Sequence, residues 1–189
     1  ACELDHMQAY LVTMAFYIAY TVMALPTSWI LRQTGYKKGM VLGLVVMVVG
    51  ALLFIPAAHF RFFSLFLFAL FVLGTGLTLL QTSANPYIVL IGTKETAAVR
   101  ISIMGILNKL AGVLAPIVFT AFVFMDMSSF DEKTLLTLGE SQRIAALGDL
   151  SSRLILPYTM MAAMLFMIAI MVYLSPLPEP VFEQKDFDE

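Results

Sequence analysis

Five apolar runs, each long enough to cross a lipid bilayer, leave this chain few folds to choose from. They span about residues 8–31, 38–58, 62–91, 99–125 and 154–174. A hydrocarbon core about 30 Å thick takes roughly 20 helical residues. No water reaches the backbone there, so the amides must pair within their own segment. Helices meet that demand and isolated strands do not. The expected fold class is all-α integral membrane, with five transmembrane helices forming one bundle over residues 1–174. Of the 189 residues, 60% are hydrophobic and 13% charged. A soluble domain carries about 25% charged residues, so this composition does not suit a water-facing surface. Pro26, Pro56, Pro86 and Pro116 interrupt four of the runs. Such prolines are tolerated where neighbours or water take up the freed carbonyl, and they kink the helix.

The connections between the runs carry an orientation. "RQTGYKK" holds Arg32, Lys37 and Lys38, and "GTKETAAVR" holds Lys94 and Arg100, whereas "PAAHFRF" holds only Arg61. Basic residues favour the cytoplasmic side. The first and third connections are therefore expected inside and the second outside. Residues 126–153 are then an extracytoplasmic loop, rich in acids (Asp126, Asp131, Glu132, Glu140, Asp149), in which "DEKTLLTL" and "ESQRIAAL" can each form a short surface helix. Residues 175–189, "SPLPEPVFEQKDFDE", read as a proline-broken, acidic cytoplasmic linker. An odd number of spans puts Ala1 outside and Glu189 inside. With no basic leader ahead of the first run, a preceding helix is expected to be missing.

Several function classes recede on composition alone. The net charge is −2 and no basic stripe is present, so nucleic acid is not an expected partner. Cys2 is the only cysteine, and His6 and His59 lie far apart with no acid or thiol to join them. No metal and no cofactor are expected. An intramembrane hydrolase needs a buried nucleophile–base pair or two acids. No Asp, Glu or His lies inside a run away from its ends, so the chain is not expected to be an enzyme.

The polar residues that do lie at bilayer depth fall into stripes. At 100° per residue, Gly74, Thr78, Gln81 and Asn85 share a face about 60° wide. The rest of that run is Leu, Phe and Val. Two amides one turn apart offer donors and acceptors together. They suit a hydroxyl-rich ligand in a wet cavity, or they hydrogen-bond this helix to a neighbour; both readings stand. Pro86 removes one backbone bond just beyond them. The first run has a comparable face of Tyr10, Thr13, Tyr17, Thr21 and Ser28, in which Tyr17 suits the C–H face of a sugar. The alternative for that face is ordinary packing with an interfacial aromatic at Tyr10. Lys109 lies about ten residues into the fourth run, ~15 Å from its start at 1.5 Å per residue. A lysine at that depth costs about 2.5–3.5 kcal/mol on insertion scales and faces a bundle interior or a cavity. Gly105, Gly112 and Pro116 align with it. Met160, Met161, Met164, Met167 and Met171 form a stripe that reads as lipid-facing or core filler.

Four stretches, "GYKKGMVLGLVVMVVGALLFIPAA", "LFLFALFVLGTGLTLLQTSANPYIVLIG", "ETAAVRISIMGILNKLAGVLAPIV" and "LPYTMMAAMLF", resemble the fucose–proton symporter family of the major facilitator superfamily, in particular its glucose/galactose-type branch. The resemblance runs from about Met7 to Leu174 and maps the five runs onto family helices 2 to 6. It implies an N-terminal half without its first helix. The absent helix carries the family's membrane-buried Asp. The whole carrier would have twelve helices in two halves and would move a monosaccharide across the inner membrane by alternating access. Coupling to protons or another cation is implied, with the C-terminal end cytoplasmic. The implied partners are a small-molecule sugar, the lipid bilayer, the missing first helix and the C-terminal half.

The resemblance also bears on single residues. In the fucose branch a Glu that takes part in coupling stands at the position of Gln81, whereas the glucose/galactose-type branch often has Gln there. This favours hexose recognition by Gln81. Arg100 and Asn108 match the family's run, while Ser102, Gly105 and Lys109 stand where it has Asn, Gln and Ser. Ser28, Arg32 and Gln33 stand where the superfamily loop has Gly, Asp and Arg. The expected substrate-binding residues are Gln81, Asn85, Thr78, Asn108 and Tyr17, with Lys109 as a coupling or cavity charge. Two alternatives accompany this reading: a carrier of anionic sugar acids that uses Lys109, and a truncated membrane protein that does not transport.

Overall fold

A computed structural model describes residues 6–60, 62–124 and 140–179. Five membrane-length apolar helices account for nearly all of them, and no strand occurs among the described residues. They are α1 (His6–Thr34), α2 (Tyr36–Phe60), α3 (Phe63–Leu90), α4 (Ala97–Phe124) and α5 (Glu140–Leu174). A single 3₁₀ turn, Lys94–Thr96, precedes α4. Every helix runs through a proline: Pro26, Pro56, Pro86, Pro116 and Pro157. Residues 140–153 are helical and continuous with the last apolar run, so "ESQRIAAL" forms the first turns of α5. The stretch "DEKTLLTL", the rest of 126–139, and residues 180–189 of the expected linker lie outside the described residues.

The bundle is organised around α2, which packs on α3 and on α5, while α1 packs on α3. Helices in lipid gain no hydrophobic driving force from one another, so they associate through close backbone approach at small residues. A Cβ added to Gly76 would lie 2.7 Å from the Gly43 carbonyl oxygen, and one added to Gly43 would lie 2.7 Å from the Leu80 amide nitrogen. The two backbones touch there. Gly50 meets the backbone of Leu73 in the same way. The buried face of α2 (Gly39, Gly43, Gly50, Phe54, Ala57) follows this contact. Phe54 seals the α2–α5 side, its ring stacked on Tyr158 at 4.5 Å and edge-on to Phe66 at 5.0 Å.

Hydroxyl groups on these helices mostly bond back to their own backbone. Thr75, Thr78 and Ser83 donate to the carbonyls of Phe71, Gly74 and Leu79 at 2.7–2.9 Å. This is how a hydroxyl is accommodated in an apolar surrounding. Thr27 is the exception, buried with no hydrogen-bond partner for its hydroxyl among the described residues.

One end of the bundle is drawn together by contacts far apart in sequence. α1 and α2 are joined through Gly35 alone, whose φ of 80° is the left-handed conformation that ends a helix. Tyr36, Met40, Leu31 and Tyr87 form a buried cluster that Val172 and Leu177 pack against. The segment after α5 folds over it: the Lys37 ammonium donates to the Ser175 carbonyl at 2.7 Å, and the Lys37 amide to a Glu179 carboxylate oxygen at 3.3 Å. Nearby, the Arg100 guanidinium donates to the carbonyls of Ile88 (2.9 Å), Val89 (2.8 Å) and Thr93 (3.1 Å), and to the Thr96 hydroxyl. It thereby satisfies the last carbonyls of α3, which have no partner within the helix.

Against this, α4 stands apart. It touches α3 and α5 only sparsely, and the part of it that qualifies as a membrane span has no buried residue.

Candidate functional site

The polar face of α3 lies beside α1. Gly74 admits the close approach: a Cβ there would meet the Ala19 side chain at 3.0 Å and the Phe16 carbonyl at 3.2 Å. Two turns further along, the Tyr20 hydroxyl donates to Oε1 of Gln81 at 2.7 Å. The contacts ascend together in both helices, so α1 and α3 run parallel.

Each expected residue has a distinct setting. Thr78 is 2% exposed, and its hydroxyl is engaged with Gly74 of its own helix. Gln81 is half-buried, with its oxygen held by Tyr20. Asn85, one turn on, is exposed and makes no side-chain hydrogen bond to another described residue. Tyr17, on α1, is 65% exposed, its ring edge-on to Phe16 at 6.0 Å. Tyr20 and Gln81 thus meet at the junction of α1 and α3, and Tyr17 on α1 and Asn85 on α3, each within about one turn of that pair, extend it into a band of two phenols and two amides. Asn108 and Lys109 are both exposed in the middle of α4. Among the described residues, no hydrogen bond joins them to Gln81 or Asn85.

The band can donate and accept hydrogen bonds at the depth of a bilayer, and its four side chains include no carboxylate. No group of three or more His, Cys, Asp or Glu side chains suited to a metal occurs among the described residues. Tyr20 is the member that sequence reasoning did not single out. It lies three residues after Tyr17, on the neighbouring strip of the helix surface, and that spacing was the only signal for it. The Met stripe of α5 leaves Met160, Met164, Met167 and Met171 exposed.

Comparison with known proteins gives a consistent picture. No family model matches the chain. It is 43% identical over 115 residues to a glucose/galactose transporter of Brucella abortus, covering 61% of this chain and 28% of that protein. It is 30% identical over 188 residues to the L-fucose-proton symporter of Haemophilus influenzae, covering 96% of this chain and 44% of that protein. In three dimensions it resembles the crystal structure of FucP, a major facilitator superfamily transporter, in the outward conformation. The TM-score is 0.84 at 26% identity, over 94% of this chain and 43% of FucP. The chain spans less than half the length of the curated relatives it matches.

Proposed function

We propose, from its homology to the L-fucose-proton symporter and the glucose/galactose transporters and from the major facilitator fold it shares with FucP, that this chain is part of a carrier that moves a monosaccharide across the inner membrane. The relatives are transporters, and no enzymatic role is assigned to this chain. The observation that carries the assignment is the band at the α1–α3 junction. Gln81 and Asn85 are amides on one face of an otherwise apolar helix, and both are accessible. Bare amides against lipid would cost several kcal/mol each. Bordering an aqueous cavity, they can exchange water for sugar hydroxyls at little cost. Pro86 lacks an N–H, so the carbonyl four residues earlier, at Thr82, loses its intrahelical partner and is open to a ligand or water.

In this reading Gln81 and Asn85 bond sugar hydroxyls and Tyr17 stacks on a sugar face. Thr78 lines the site beneath them on the same face of α3, where Gly74 lets α1 come close, and Asn108 reaches the sugar from α4. The carrier works by alternating access, coupled to protons or another cation. Its remaining partners are a further helix and a second half, against which the sparsely packed α4 comes to rest. The basic residues at the Gly35 end put that end, and the C-terminal end of the chain, in the cytoplasm.

The test is uptake of labelled glucose, galactose and fucose by the complete carrier in Gln81→Ala and Asn85→Ala variants. Uptake is expected to fall at least tenfold with membrane expression unchanged. Wild-type uptake by both variants would remove the assignment.

A second reading rests on Lys109, a cation in the middle of α4 without a salt-bridge partner among the described residues. It would serve an anionic sugar acid. Uronic and sialic acids should then compete with hexose uptake, and Lys109→Gln should abolish that competition.

A further inference from the structure

Gln81 has company that its neighbours on α3 lack, and that company determines what its amide can offer. The Tyr20 hydroxyl donates to Oε1 at 2.7 Å, a short hydrogen bond of favourable length. A glutamine amide has an acceptor oxygen and a two-donor nitrogen at opposite corners of one plane. When such a side chain is free, it can rotate half a turn and present either corner to a ligand. Here the oxygen corner is held against α1, so the nitrogen corner points away from the Tyr20 hydroxyl.

We infer that Tyr20 is a positioning residue. It engages one lone pair of the Gln81 oxygen and fixes the amide plane, so that Gln81 turns its nitrogen corner to the ligand as a donor. This rests on the transport assignment above and deepens it by naming the chemistry of one contact. The ligand group read by Gln81 is an acceptor oxygen, either the lone pair of a sugar hydroxyl or a ring oxygen. A phenol suits this task because its ring is rigid. Only two side-chain torsions need be held, and Tyr20 itself is 37% exposed at the edge of the α1–α3 contact. Its hydroxyl reaches Gln81 without being sealed into the packing. The arrangement also explains why the pair tolerates an uncharged residue at position 81: an amide held in one orientation gives directional recognition with no charge to desolvate.

The experiment is a double-mutant cycle on the complete carrier in liposomes, with Tyr20→Phe, Gln81→Ala and the pair. KM and maximal rate of hexose uptake are read beside the melting temperature in detergent. Tyr20→Phe keeps the ring and removes only the hydroxyl. It is expected to raise KM roughly tenfold, the scale of one lost hydrogen bond, with the melting temperature and maximal rate little changed. On the Gln81→Ala background the same substitution should change KM less than about twofold, because it acts through an amide no longer present. Competition by deoxyfluoro and deoxy hexoses gives the ligand side. At the position Gln81 reads, fluorine keeps a weak acceptor and should compete better than hydrogen, and Tyr20→Phe should narrow that gap. A neutral Tyr20→Phe beside an impaired Gln81→Ala, or an effect undiminished on the Gln81→Ala background, overturns the inference and leaves the transport assignment in place. Normal uptake by Gln81→Ala overturns the inference, and the transport assignment falls with it only if Asn85→Ala is normal as well.

Discussion

The hydroxyl of Tyr87 donates to the carbonyl of Pro178 at 3.0 Å, tying the last turn of α3 to the segment that follows α5. The two residues are 91 positions apart. Around them, Leu177 packs on the buried cluster of Leu31, Tyr36, Met40 and Tyr87, and Lys37 bonds both Ser175 and Glu179. The stretch from Ser175 to Glu179 therefore acts as a strap across the ends of α1, α2, α3 and α5.

Tyr87→Phe should loosen the strap while keeping the ring contact with Tyr36, whose centroid lies 6.4 Å away. The expected loss is about 0.5–1.5 kcal/mol, one net hydrogen bond. A lowered melting temperature in detergent, with faster proteolysis within 175–179, is the signature to look for.

Gly35→Ala should be more harmful than its size suggests. At φ 80°, an L side chain costs about 1–2 kcal/mol. Its Cβ would also collide with the Glu179 carboxylate, which accepts from the free Lys37 amide at the start of α2. Glu179→Ala on the Gly35→Ala background should recover part of the lost stability, since the steric component disappears and the backbone component remains. Equal stability of the single and double variants would argue against the contact.

Gly76→Ala should separate α2 from α3. The added methyl lies 2.7 Å from the Gly43 carbonyl oxygen and from the Met47 amide nitrogen, and backbone cannot step aside as a side chain can. Overpacking of this kind costs about 1–3 kcal/mol. Resistance to unfolding by a denaturing detergent should fall, whereas Gly105→Ala, with nothing within 4 Å, should have little effect on it.

Arg100→Lys should fail to substitute. The guanidinium serves three carbonyls and a hydroxyl at once, a fan of donors that one ammonium cannot reproduce. The expected cost is about 1.5–3 kcal/mol, the scale of hydrogen bonds to a charged group. Hydrogen exchange should show it as faster opening of the last turn of α3, around Ile88 to Ile91.

Phe54→Ala should weaken the α2–α5 contact most among side-chain deletions. The ring is 2% exposed and lies between Tyr158 and Phe66. Removing a buried Phe costs about 3–5 kcal/mol, and Phe54→Leu should recover a good part of that in the same melting assay.

The five membrane-length helices among the described residues and their class were legible in the chain because both depend on local quantities: run length, and the absence of water for backbone amides. The stripe of Gly74, Thr78, Gln81 and Asn85 was legible too, since 100° per residue decides which residues share a face. What that face meets was not. Gly74 packs on Phe16 and Ala19, Gln81 bonds Tyr20, and Thr78 is buried, yet Asn85 on the same strip is open. The boundary at Glu140 was equally hidden, because the first turns of α5 lack the apolar signal that marks a span.

Sequence alone determined that this polypeptide forms five membrane-length apolar helices among its described residues and carries a few uncharged polar groups within them, for hydropathy and helical pitch are properties of consecutive residues. Only the tertiary structure decided that Tyr20 holds Gln81 and that Glu179 returns to the start of α2. Each depends on the rotation and offset of one helix against another, and these are set by where glycines let backbones touch, a relation between residues that no stretch of sequence contains.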